Sequence, residues 1–166
     1  MSKNKFSNSV DECVKAIEEV KVQEGHGYAH PSNFAITKPE IETLYGEGFI
    51  LYSWGANPVQ FVNKEHSHKR GVHMFLRRHA YGDFPEETPI LYLLAFDSIG
   101  PDIKREKLYQ ALRERNVDII PGGSAWWQST YSKSLEEAIQ LYRELDALMP
   151  GMLVKSSKQS KPQHAH

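Results

Sequence analysis

The residue of this chain best placed to do chemistry is Asp97. It closes the apolar and aromatic run Ile90–Asp97, so it is a carboxylate at the end of a strand-like segment. A hard cation such as Mg²⁺ needs only one or two protein carboxylates, with waters completing its shell. A divalent metal held there could activate water and stabilise charge on a phosphodiester. The same carboxylate could instead cap the turn at Ser98–Asp102, a common task for Asp.

A second set of candidates lies upstream, in the charged stretch Lys64–His79. Arg70, His73, Arg77 and Arg78 could grip phosphates, because guanidinium forks match phosphate oxygens. If the stretch is a helix, Arg70, His73 and Arg77 line one side. If it is a strand, His73, Phe75 and Arg77 share a face. A solvated charged surface paired with Glu86 and Glu87 is the alternative. His66 and His68 would lie on one face of a strand and could bind a transition metal, although no Cys or further His at a standard spacing joins them. Trp126 and Trp127 alternate across one strand, one entering the core and the other free to stack on a base or lie under the N-terminal region. Gly122 and Gly123 are too short a run for a nucleotide-binding loop, and no Lys-Ser/Thr pair follows.

These residues must be held by elements that the apolar spacing suggests. Ser9 and Glu12 have capping-box spacing ahead of a helix over residues 10–23, with Cys13 near the edge of its apolar face as a buried, inert thiol. Residues 24–36 read as a polar loop; it contains His26 and His30, but Gly25, Gly27 and Pro31 argue against a helical metal pair. Thr37 and Glu40 are a second capping box, with Pro39 in the first turn of a helix ending near Tyr45. Residues 49–54 and 58–63 read as a hairpin. Residues 81–89 are a linker rich in turn formers, and a boundary falls at 88/89.

The C-terminal half then reads strand 90–97, helix 102–116, strand 117–120, strand 124–130, a Ser134-capped helix and strand 152–155. Near-continuous apolar character makes the first of these a buried, central strand. The first helix buries Leu108, Ala111 and Leu112. The second carries the stripe Ala138, Leu141, Tyr142, Leu145 and Leu148 and is expected to break at Pro150-Gly151. Residues 156–166 read as a disordered tail.

This βαββαβ order is that of a ferredoxin-like unit. The strand ending in Asp97, the helix start Glu106–Leu112, Ser124-Ala-Trp-Trp127 and the Ser-capped helix together resemble the small SinR-like proteins. Those are relatives of the CRISPR-adaptation nuclease-like family and of the VapD ribonucleases. The resemblance covers residues 89–155 and implies a homodimer of ferredoxin-like units. It also implies an acidic residue at the end of the first strand that in some members holds a divalent metal at the dimer interface, the place of Asp97. Ser124 falls where several members keep a serine.

The expected fold class is therefore α+β: an N-terminal α/β extension over 1–88, a ferredoxin-like unit over 89–155 and a tail. The chain has 166 residues, 40% hydrophobic and 25% charged, with a formal net charge of -1. That balance argues against gross electrostatic capture of nucleic acid while permitting a local patch. The single cysteine rules out an internal disulfide framework and suits a reducing compartment. No apolar run reaches the ~18 residues of a membrane span, and Met1–Phe6 lacks the apolar core of a secretory signal. A cytoplasmic protein without a membrane partner is expected.

Two functional readings follow. One is a nucleic-acid- or nucleotide-phosphate-directed protein, as a metal-dependent nuclease using Asp97 and Ser124 with the basic stretch as clamp. The other is a non-catalytic regulatory or interaction module acting as a homo-oligomer.

Overall fold

The computed structural model describes residues 5–21, 36–53, 59–66, 72, 74–79, 91–97, 103–117 and 127–154. Among these residues six strands and four helices follow one another in the order β1 (Lys5–Ser7), α1 (Val10–Lys21), α2 (Lys38–Gly46), β2 (Phe49–Ser53), β3 (Phe61–Asn63), β4 (Met74–His79), β5 (Leu91–Asp97), α3 (Arg105–Glu114), β6 (Trp127–Ser132) and α4 (Leu135–Met152). The strands form one antiparallel sheet in linear order, β1 through β6. No helix among the described residues is long and apolar enough to cross a membrane.

Alternation along the strands splits the apolar residues between the two faces of the sheet. Phe49, Leu51, Phe61, Met74 and Leu76 join the helices in the main core, together with Cys13, Ile17, Leu108, Leu112, Tyr142 and Leu145. Ile50, Tyr52, Val62 and Phe75 form a second cluster, with Phe6 and Val72 packed against it. Phe6 stacks on Tyr52 there at 4.9 Å. The main core draws on residues from Cys13 to Leu153, and β4 and β5 pair along six residues, so both sheet and core run through the boundary drawn at 88/89.

The helix starts are as the sequence indicates. Ser9 Oγ accepts from Glu12 N at 3.1 Å, and Glu12 Oε1 accepts from Asn8 N at 2.8 Å. Thr37 and Glu40 complete a reciprocal capping box. Ser134 Oγ accepts from Glu137 N. The end of α3 is a Schellman motif: Asn116 takes φ 56°, its N–H bonds to Arg113 O, and Val117 N bonds to Leu112 O. A left-handed Asn is tolerated there in place of glycine.

Three readings are decided or corrected. Of the two alternatives for the basic stretch, residues 74–79 take the strand. Pro150-Gly151 does not break α4, which continues to Met152; of the strand expected at 152–155, Met152 is helical, Leu153 forms an isolated bridge to Ile103, and Lys155 lies outside the described residues. The proline removes one helical donor, a cost of about 3 kcal/mol. Burial of Met152 and Leu153, about 1.5–3 kcal/mol each, offsets it. Lys104 N then caps Met152 O at 2.7 Å. Third, the buried stripe of α4 is Ala138, Ile139, Tyr142, Leu145, Asp146, Met149 and Met152, while Leu148 is 41% exposed.

The α+β class stands, and β5 is interior, paired on both sides. The flank of β5 where a ferredoxin-like unit places its last strand is occupied by β4, and the strand order is linear rather than interleaved.

Candidate functional site

Strand direction decides which candidates can meet. Phe96 pairs with Met74 and Asp97 with Trp127, so β5 ends where β4 and β6 begin. Phe61 pairs with Leu76, which puts the end of β3 and its following turn, Lys64–His66, at that same end of the sheet. The backbone positions of Asp97 and Trp127 and the turn Lys64–His66 are thereby gathered at one end. Arg77 and Arg78 pair with Leu93 and Tyr92. Four residues separate Leu93 from Asp97, about 13 Å along the strand. The backbone of β4 thus carries these two arginines away from Asp97. Ser124, Trp126, Arg70 and His73 lie outside the described residues, as do His68, the loop 24–35, residues 118–120 and the tail 156–166.

The described side chains at this sheet end are organised by one asparagine. Asn63 Oδ1 accepts from the backbone N–H groups of Glu65 at 2.8 Å and His66 at 3.2 Å, folding the chain back on itself in an Asx turn. Its Nδ2 donates to Asp146 Oδ2 at 3.1 Å. Its backbone N–H donates to Tyr142 Oη at 3.0 Å, and that hydroxyl donates in turn to Met74 O at 3.1 Å. By the register of Phe61 and Leu76, Asn63 lies opposite Met74, so the hydroxyl is inserted between β3 and β4 where a direct ladder bond would otherwise form.

His66 sits on the turn that Asn63 makes. Its Nδ1 lies 2.8 Å from Asp146 Oδ2, with His66 62% exposed and Asp146 only 3%. A carboxylate oxygen accepts and does not donate, so Nδ1 carries the proton. Nε2, the other ring nitrogen, is left unclaimed by Asp146. A buried carboxylate behind an exposed imidazole is the arrangement by which hydrolytic sites orient a histidine for proton transfer. Asp146 owes its place to α4: it falls four residues after Tyr142, in the buried stripe of that helix.

Sequence reasoning noticed His66 only as half of a His-Ser-His pair and passed over Asp146. The available sign was an acidic residue at a core-facing helical position, between Leu145 and Met149. Cys13 is as expected: it is fully buried, and burial pushes its thiol up to about 11, against a smaller opposing hydrogen bond from Tyr45. Tyr45 is also pushed up, chiefly by burial; its hydroxyl donates to Ser7 O at 2.7 Å and accepts from Leu51 N at 2.9 Å. Among the described residues no group of three His, Cys, Asp or Glu could hold a metal ion.

No family model matches this chain, and no curated protein or solved structure matches it either.

Proposed function

We propose that the chain is a nucleic-acid- or nucleotide-phosphate-directed protein whose reactive surface is the sheet end carrying His66, Asp97 and Trp127. The observation that supports this most is the His66–Asp146 pair, 2.8 Å apart with only the imidazole exposed. In this reading Nε2 of His66 takes the proton from an attacking hydroxyl or water as its oxygen bonds to phosphorus, and a proton passes to the oxygen that leaves as the P–O ester bond breaks. Asp146 holds the ring in one tautomer and stabilises the imidazolium as it forms. Lys64, exposed on the same turn, adds positive charge for a phosphate. One of Trp126 and Trp127 supplies stacking for a base in this reading. Arg70, His73, Arg77 and Arg78 are the basic residues that this reading assigns to the phosphate backbone. Mg²⁺ on Asp97, with Ser124 as the other residue assigned to catalysis, would add Lewis-acid stabilisation of the phosphoryl oxygens. The proton transfer at His66 is derived without it.

The finer family reading belongs to the same proposal. β5, α3, β6 and α4 follow in ferredoxin-like order, and the missing second strand would fall at 118–120, outside the described residues. Homodimerisation would cover the outer edge of β1, which pairs only with β2 among the described residues. A cytoplasmic setting suits the single free thiol.

A second reading rests on the same network. Asn63, Tyr142 and Asp146 tie the β3–β4 turn to α4, which would equally serve a rigid, non-catalytic docking module. Titration of short single-stranded RNA, DNA and mononucleotides, followed through the imidazole resonances of His66, separates the two. Shifts at His66 that weaken steeply with salt, together with product formation, support catalysis on phosphates. Shifts without product favour the module. No shift with any of these anions removes the phosphate reading.

A further inference from the structure

The bonds around His66 pin its ring through one nitrogen and leave the other open. Asn63 Oδ1 accepts from the His66 backbone N–H at 3.2 Å, which sets the turn. Asp146 Oδ2 lies 2.8 Å from Nδ1 and also accepts from Asn63 Nδ2 at 3.1 Å. The same asparagine thus holds both the turn and the carboxylate that holds the ring. Asp146 is 3% exposed and belongs to the buried stripe of α4, while the His66 side chain is 62% exposed. An imidazole pinned at Nδ1 presents Nε2 to a molecule arriving from solvent.

That arrangement suits bond formation at Nε2 as well as proton transfer. A general base needs its nucleophile bound beside it, within hydrogen-bond reach. An imidazole standing out on a turn can instead be reached by a phosphorus atom that a second molecule brings. Histidine is one of the side chains that form covalent intermediates in group transfer. Attack by Nε2 leaves the ring positively charged with its proton still on Nδ1, and there Asp146 supplies a charged acceptor. Lys64 and Glu65 precede it on the turn, both exposed, one favouring and one opposing an incoming phosphate. The carboxylate held against Nδ1 is what distinguishes this ring from a histidine in solution.

We propose that His66 is a phosphoryl-acceptor site, modified at Nε2 by a donor of the phosphoramidate class, with Asp146 and Asn63 as positioning residues. The Nε2 lone pair forms the new N–P bond as the N–P bond of the donor breaks. The donor nitrogen, protonated beforehand, leaves with that electron pair as a neutral amine or ammonia. The ring keeps its Nδ1 proton and carries its positive charge against Asp146. This goes beyond the phosphate-directed reading and shares with it only the geometry of His66 and Asp146.

Incubation of the full chain with potassium phosphoramidate at mildly alkaline pH tests this, with N-acetylhistidine in the same solution as the reference. Peptide mass spectrometry locates the modified residue, and ³¹P resonances identify the ring nitrogen. His66 is expected to be phosphorylated on Nε2 at least about tenfold faster than N-acetylhistidine, the worth of one hydrogen bond to a charged group. His66→Gln should remove the fast phase. Asp146→Asn should bring the His66 rate down to that of the reference. Should that variant fail to fold, the native chain is compared with its urea-unfolded form, and the rate advantage should vanish on unfolding. A His66 rate no greater than the reference overturns the proposal, and so does phosphate on Nδ1 of the folded chain. An advantage that survives both Asp146→Asn and unfolding overturns the part given to Asp146. No oligonucleotide enters this assay, so its failure leaves the cleavage reading standing, and a failure of cleavage leaves this proposal standing.

Discussion

Replacing Tyr142 by Phe removes one oxygen and keeps the ring, so it isolates what the hydroxyl does between β3 and β4. That oxygen serves two main-chain groups, accepting from Asn63 N at 3.0 Å and donating to Met74 O at 3.1 Å. The ring itself stays wedged against Phe49 at 4.8 Å, so the strands are not free to close the gap fully. Each buried main-chain group left without a partner costs about 1–3 kcal/mol. Partial closure recovers some of this, and the expected loss is about 2–4 kcal/mol. With a urea m-value of about 2 kcal/mol/M, the unfolding midpoint should fall by about 1–2 M. Hydrogen exchange at the Asn63 amide should speed up by more than global destabilisation explains. A loss under about 0.5 kcal/mol with the Asn63 amide still protected would refute the reasoning, because it would mean that the strands pair directly without the hydroxyl.

Other expectations are more local. Thr37→Ala removes a reciprocal capping box and should cost about 1 kcal/mol in urea unfolding, with Thr37→Asn close to neutral. Cys13 should resist thiol reagents in the folded protein at pH 8 and react only at the rate of opening. Its folded thiol titrates near 11 against 9.0 for the free group, so burial of the neutral thiol contributes full stability below about pH 9 and loses it as pH rises toward about 11. The loss is on the order of 2 kcal/mol. Cys13→Ala should flatten that part of the stability profile, and an unchanged slope would count against it. Asp97→Asn should abolish any metal-dependent part of phosphodiester cleavage if the carboxylate holds a cation, and should change stability by only a few tenths of a kcal/mol if it caps the turn.

The legible parts of this chain were those governed by local chemistry. Ser9, Thr37 and Ser134 mark their helices because a hydroxyl three residues before an exposed amide is a contact made within one turn. Leu108, Ala111 and Leu112 were recognisable for the same reason of period. The parts that were not legible depend on what lies across space. Nothing local says that β4 rather than residues 152–155 occupies the flank of β5, since that is a competition between distant segments for one strand edge. Leu148 and Asp146 exchange their expected places because the sheet meets α4 about one residue's rotation from where hydrophobicity alone would put it. His66 and Asp146 stand 80 residues apart, and their pairing follows from the Asx turn at Asn63 and the seating of Tyr142.

The most direct test of the central claim is the single-turnover rate at which the purified chain cleaves a short phosphodiester oligonucleotide, compared with that of His66→Gln under conditions where both are saturated. The account predicts product with the native chain and a rate about 10²–10⁴-fold lower for the variant, the usual contribution of a positioned acid–base group, with binding unchanged. Equal rates for the two proteins, or no product from the native chain when substrate is bound, would contradict it.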